Sequence, residues 1–444
     1  MWEEVMPTVA TVPENVRQGD PGKAFDRICT CRCAREDSYP RPGEHAVYKV
    51  RTPCVLIILL VQALLPVAIP SLVHAGQVHH YEYVFPDNSI YVYDMDNRGA
   101  LVKHVSVPTS AGVRGAIASA ASGMLYISYG SNRRGGSLLK YNLMTDEVVW
   151  TKNYPFGVDS MSISPDGNTI YMPTGEAAPG GIWEVIDAES GKVTASIDCG
   201  GIGPHNTVVS PDGSRVYLGP RYTNYLVVAS TRSNRVIRKI GPVGGIGGIR
   251  PFTINGAENL AFITLSGVLG FQVGDIGTGR ILYTVQVQGF PTKGGAPSSP
   301  SHGISLSPDE KEVYIIDSIS NYVHVFDVTG LPGSAPRQVA DIQLLGAMSH
   351  NETPCAYNCR KYGWLHHSRD GRYVFVGDSG DVIDTALRKT AMTLPALANS
   401  RTEIEIDFQV GAPLPIWAMT NRSSIGGRAP VARSSPFSGV STVR

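Results

Sequence analysis

The chain has 444 residues, of which 42% are hydrophobic and 17% charged, with 38 basic against 38 acidic side chains. That composition suits a globular protein, and the length allows two or three ordinary domains or one large repeat domain. Zero net charge, kept when residues 1–75 are set aside, leaves no electrostatic case for nucleic acid or an anionic membrane surface as a partner.

Residues 1–49 are polar and aperiodic and read as a leader outside the fold. Their Cys29, Cys31 and Cys33 are spaced unlike any common zinc pattern. Residues 50–75 read as a signal peptide. Lys49 and Arg51 introduce the apolar run Val55–Val73, and Val73-His74-Ala75 puts small residues at the positions a signal peptidase requires. Pro66 and Pro70 cut the run short of the roughly 20 residues a spanning helix needs. Export with cleavage after Ala75 is therefore expected, to a periplasmic or secreted location with no stable membrane span. A translation start near Val50 is the simpler account of the polar leader. Only Cys199, Cys355 and Cys359 would then remain, and Cys355 and Cys359 are expected to pair across a short loop.

From residue 76 onward one unit repeats. A short strand ends in Ser-Pro-Asp-Gly at Ser164 and Ser210 and in Ser-Pro-Asp-Glu at Ser307; looser copies stand at Ser119, Asn255 and Ser368. These markers are spaced 45, 46, 45, 52 and 61 residues apart, the spacing of propeller blades. Seven residues after each marker stands an aromatic: Tyr126, Tyr171, Tyr217, Phe262, Tyr314 and Phe375. Positions one and three before the marker are almost all apolar, the period-2 pattern of a half-buried strand. Two further strands complete each unit, as in Gly181–Asp187 and Lys192–Ile197 of one repeat.

The expected fold is all-β: a seven-bladed β-propeller of four-stranded antiparallel blades over residues 76–410. Six markers give six blades. Ser89–Asp94 and Ala100–Ser106 supply the outer strands of a seventh, whose inner strand would come from Thr402–Phe408. That arrangement pairs N- and C-terminal strands and leaves no open sheet edge. Residues 411–444 read as an irregular tail, frayed from about Thr420. His79 and His80, just after the cleavage site, read as exposed.

The turns at 164, 210 and 307, the strand pair Val313–Asp317 with Tyr322–Val328, and the run Gly371–Asp384 resemble the YVTN-repeat, YncE-like propellers, exported bacterial proteins. The resemblance covers roughly residues 77–410 and implies the fold. It leaves activity open, because similar propellers include lactonases, metal-dependent oxidases, lyases and binding scaffolds.

The residue five before each marker begins the innermost strand, where propellers hold ligands at the channel mouth. These are Arg114, Asp159, His205, Arg250, His302 and Gly363, with Glu403 as the seventh. Three readings are open. One is a solvated rim, with Arg114 paired to Asp159 and the histidines bonded to backbone carbonyls. Another is an anion or small-molecule site clamped by Arg114 and Arg250, with His205 and His302 as hydrogen-bond or acid–base partners. The third is a divalent metal held by His205 and His302, with Asp159 or Glu403 as a further ligand, which the two arginines oppose. No cofactor follows from any motif. Neither a nucleophile elbow, a His-Glu-x-x-His helix nor a phosphate loop is present, and Gly241–Gly248 opens no helix. Adjacent His366 and His367 would face opposite ways and share no metal; His367, in an apolar register position, reads as a core histidine. Insertions at Gly289–Pro300 and Leu345–Tyr362 would make a lid over one mouth. The function expected is binding, of a small anionic molecule or a protein partner at the channel mouth. A propeller enzyme acting on a small anionic substrate, lactonase-like or metal-dependent, is the alternative.

Overall fold

A computed structural model describes residues 76–244, 248–291, 299–353, 355 and 359–421, all within one compact unit. The leader, the signal segment, the tail from 422 and parts of the Gly241–Gly248, Gly289–Pro300 and Leu345–Tyr362 loops lie outside the described residues. Within those residues, no helix is long and apolar enough to cross a membrane.

Seven antiparallel sheets form a ring of blades. Innermost strands are Val113–Ser119, Ser162–Ile163, Pro204–Val209, Ile249–Ile254, Ile304–Leu306 and Trp364–His367 in blades two to seven. Blade one takes its innermost strand, Glu403–Gln409, from the far end of the propeller chain and pairs it with Val78–Val84, Ser89–Asp94 and Ala100–Ser106. The ring thus closes as expected. Val78–Val84 is the second strand of this blade, and Val84 stands opposite Glu403.

The repeated residues explain why each unit folds alike. In the turn of blade four, Ser210 Oγ donates to Asp212 at 2.6 Å and accepts from the Arg215 N–H at 3.0 Å. Ser307 and Ser368 bond Asp309 and Asp370 in the same way. Gly213 has φ +72°, a left-handed position that glycine holds without strain. In blade five Asn255 replaces serine, and its Oδ1 accepts from the Leu260 N–H at 2.9 Å. The turn delivers its aromatic to the interior: Tyr126, Tyr171, Tyr217, Phe262, Tyr314 and Phe375 are all buried between blades. Burying each such ring contributes roughly 1.5–3 kcal/mol.

Part of the tail expected to be irregular is regular, while the fraying expected from about Thr420 falls mostly outside the described residues. Trp417–Ala418 adds a fifth strand to blade one, on the channel side of Glu403–Gln409. Beyond it, the Met419 carbonyl accepts from the Ala118 N–H at 2.9 Å and the Thr420 carbonyl from the Ile163 N–H at 3.0 Å. One short segment therefore crosses the inner edges of blades one, two and three, satisfying N–H groups that would otherwise face the channel. Ala116 and Ala118 in blade two pack with Ala418 and Met419 in one apolar cluster.

Candidate functional site

The position five before the marker is set by a backbone device. Val113 pairs with Tyr129 but Gly115 with Ser128, so Arg114 is the extra residue of a β-bulge. His205 falls between Pro204, paired with Pro220, and Asn206, paired with Gly219. Arg250 falls in the same kind of register shift between Ile249 and Phe252. A bulge re-aims the side chain of its extra residue, which a regular strand would alternate with its neighbours. Asp159 and His302 precede innermost strands that are only two and three residues long.

All five side chains are more than nine-tenths buried, with exposures of 7% for Arg114, 4% for Asp159, 7% for His205, 3% for Arg250 and 5% for His302. They are not a solvated rim. Asp159 turns to His205, with Oδ2 3.2 Å from Nδ1, and also accepts from the Glu176 N–H at 3.3 Å. The His205 and His302 rings lie 6.3 Å apart. His302 Nδ1 lies 2.9 Å from the Gly363 carbonyl. A carbonyl only accepts, so Nδ1 carries the proton and Nε2 keeps its lone pair. Burial, Arg401, Arg250 and His205 all hold His302 well below the usual histidine range, so it is neutral. Both nitrogens of the buried His205 ring are without a hydrogen-bond partner, as are both side-chain polar atoms of Asn206.

Sequence reasoning missed the residue on which the ring converges. Glu176, 7% exposed, meets Arg221 in a close ion pair and lies 3.7 Å from Arg250. Asn132 Nδ2 donates to its other oxygen at 3.2 Å. Burial would raise the Glu176 carboxyl, yet His205, Arg221, Arg250 and Arg114 together hold it down at about 2. Burial and Arg221 lower Arg250 to about 10, still cationic at neutral pH, and its Nε donates to Ser266 Oγ at 2.8 Å. Glu176, Arg221 and Ser266 stand eleven or twelve residues after their markers, in the turn joining each second strand to its third. That second register was visible, but its residues vary in type from blade to blade.

The other side of the mouth is built by Arg401 and Asp378. Arg401 Nε donates to Glu352 at 3.0 Å and lies 3.8 Å from Asp378, whose Oδ2 accepts from the Tyr362 and Gly363 N–H groups at 2.9 and 3.0 Å. That pair fixes the carbonyl to which His302 donates. Gly363 has φ +78°, and a Cβ there would come within 2.1 Å of Ile316. Glu403 sits differently: a Cβ at Gly377 would meet its Oε2 at 2.9 Å, and its charge bears on Glu82, beside which it lies on one face of blade one. His366 and His367 diverge, towards Glu82 Oε2 at 3.3 Å and Ser305 Oγ at 2.8 Å. Cys355 and Cys359 are joined by a disulfide, and Cys199 is buried and free.

The fold and site define a seven-bladed β-propeller of the kind that serves as a binding scaffold. No protein-family model matches the chain, and no curated protein matches it.

Proposed function

We propose that this protein is an exported binding protein whose channel mouth takes a small molecule bearing a carboxylate or phosphate. The observation that carries this is the convergence of Arg114, Arg221, Arg250 and His205 on one internal carboxylate, Glu176. Planar guanidinium groups recognise such an anion bidentately, and Glu176 marks the charge type they are arranged to hold. His205 Nε2 and the Asn206 amide add buried polar atoms without hydrogen-bond partners, which a polar guest would satisfy. The Cys355–Cys359 disulfide supports export, since such bonds persist in oxidising compartments.

The test is a thermal-shift screen of small carboxylates and phosphates against the wild type, Arg114→Ala and Arg250→Ala. A ligand-dependent rise in Tm is expected for the wild type and its loss in both variants. Identical shifts in all three would refute the reading. An enzyme acting on the same anion is the second reading, favoured by the neutral His302, whose Nε2 keeps a lone pair that can accept a hydrogen bond from a substrate. It requires turnover of whichever ligand the screen identifies, abolished in His302→Ala.

A further inference from the structure

A second polar cluster occupies the face of blade one that is turned towards blade seven. In the ladder that closes the ring, His80 stands opposite Asp407 and Glu82 opposite Glu405. Alternate residues of a strand share a face, so Glu403, Glu405 and Asp407 line up beside Glu82 and His80. The four carboxylates are 0–1% exposed. Arg369 reaches across from blade seven to meet them. Buried like charges at this density need a counter-charge.

The geometry of three of these residues is specific. Arg369 Nη1 donates to Asp407 Oδ2 at 3.0 Å, and the Arg369 N–H donates to Glu405 Oε2 at 2.6 Å. One oxygen of each carboxylate is thereby pinned from behind. Their other oxygens both face His80: Asp407 Oδ1 lies 2.8 Å and Glu405 Oε1 3.6 Å from Nδ1. All three ligand atoms fall within 4.8 Å of one another. Ligands bound about 2.0–2.2 Å from a single ion are themselves spaced about 3–3.6 Å apart. Outer hydrogen bonds that orient first ligands are a regular feature of such sites. Glu82, fully buried and opposite Glu405, turns instead to His366, whose Nε2 lies 3.3 Å from its Oε2, and stands outside the trio.

We propose that His80, Glu405 and Asp407 form a binding site for a divalent transition-metal ion of the zinc type, tying Val78–Val84 to Glu403–Gln409 where the ring closes. Imidazole with two carboxylates is a donor set such ions accept. His80 is 28% exposed, so an ion has a route in and solvent can complete its coordination. This site is separate from the channel histidines His205 and His302.

The untagged full chain, stripped with a chelator, would be dialysed against Zn2+ and its metal content measured. Wild type should hold one equivalent more than His80→Gln and Asp407→Asn, while His205→Ala/His302→Ala keeps that equivalent. Zn2+ should raise the Tm of the wild type and leave that of His80→Gln unmoved. Because His80 is partly exposed and Asp407 fully buried, His80→Gln is the milder change, and it alone decides the matter should Asp407→Asn not fold. Equal zinc content in wild type and His80→Gln would overturn the proposal and leave a plain histidine–carboxylate ion pair. Loss of the equivalent in the channel variant would overturn it too.

Discussion

Glu176 shows how a single buried charge couples the site to stability. In the unfolded chain a glutamate takes up a proton near pH 4.5, whereas in the fold Glu176 stays ionised down to about 2. Its contribution is complete above 4.5 and is lost as pH falls towards 2, at most on the order of 3 kcal/mol. The buried histidines act in a window just above. Burial and His366 hold His367 down at about 3, and burial with its cationic neighbours holds His302 well below 6.5. The unfolded chain therefore takes up these protons first, and the stability tied to them falls away as pH drops below 6.5. The buried carboxyls Glu82, Glu352 and Glu405, raised chiefly by burial, act in the opposite sense over the same range, so the histidine part is read by difference. The denaturant midpoint of the wild type should fall relative to that of His367→Gln as pH drops from 7 to 4, and a constant difference would contradict this account. Gly175 offers a second residue-level test. It has φ +101°, and a Cβ would stand 2.1 Å from the Asn132 carbonyl oxygen. Gly175→Ala should cost more than about 1 kcal/mol and displace Glu176, weakening any ligand-dependent thermal shift along with stability.

At the level of elements, the bulge and the tail together shape the channel. The bulge sends Arg114, His205 and Arg250 towards a common centre at one mouth. Four residues further along, about 13 Å at strand rise, Ala118 and Ile163 donate to the tail. Removing residues 412–421 would strip the partners from these N–H groups and expose Ala116, Ala118 and Ile406. Calorimetry of such a truncation should show a lowered Tm with the ring still folded, because all seven blades keep four strands. An unchanged Tm would mean that the segment contributes nothing to the fold.

The whole ring depends on one long-range pairing, Val78–Val84 with Glu403–Gln409. Every other blade is built from neighbouring strands of the chain. Deleting Glu403–Gln409 leaves an unpaired edge at Val78–Val84, which is a template for association between molecules. Size-exclusion chromatography of that deletion should show loss of monomer and aggregation. A stable monomer would refute closure by this strand.

The architecture was legible because its determinants are local. Ser210, Asp212 and Gly213 bond within one turn, and Tyr217 follows at a fixed distance, so the repeat could be counted from residue types alone. The positions that became the mouth were legible for the same reason: Arg114, Asp159, His205, Arg250 and His302 hold one place in the unit. What each of them touches was not. Asp159 turned to His205, and the tail found hydrogen-bond partners on three blades. Glu176, Arg221 and Arg401 joined the cluster from loops with no shared residue type, and Glu403 joined the carboxylates of blade one. By itself, then, the sequence determined the blade, the number of blades and the register of the residues at the mouth, since those follow from turns and alternation within some 45 residues. Only the tertiary structure decided which charges meet. Their pairing depends on how one blade packs against the next and on a ring closed by strands more than 300 residues apart.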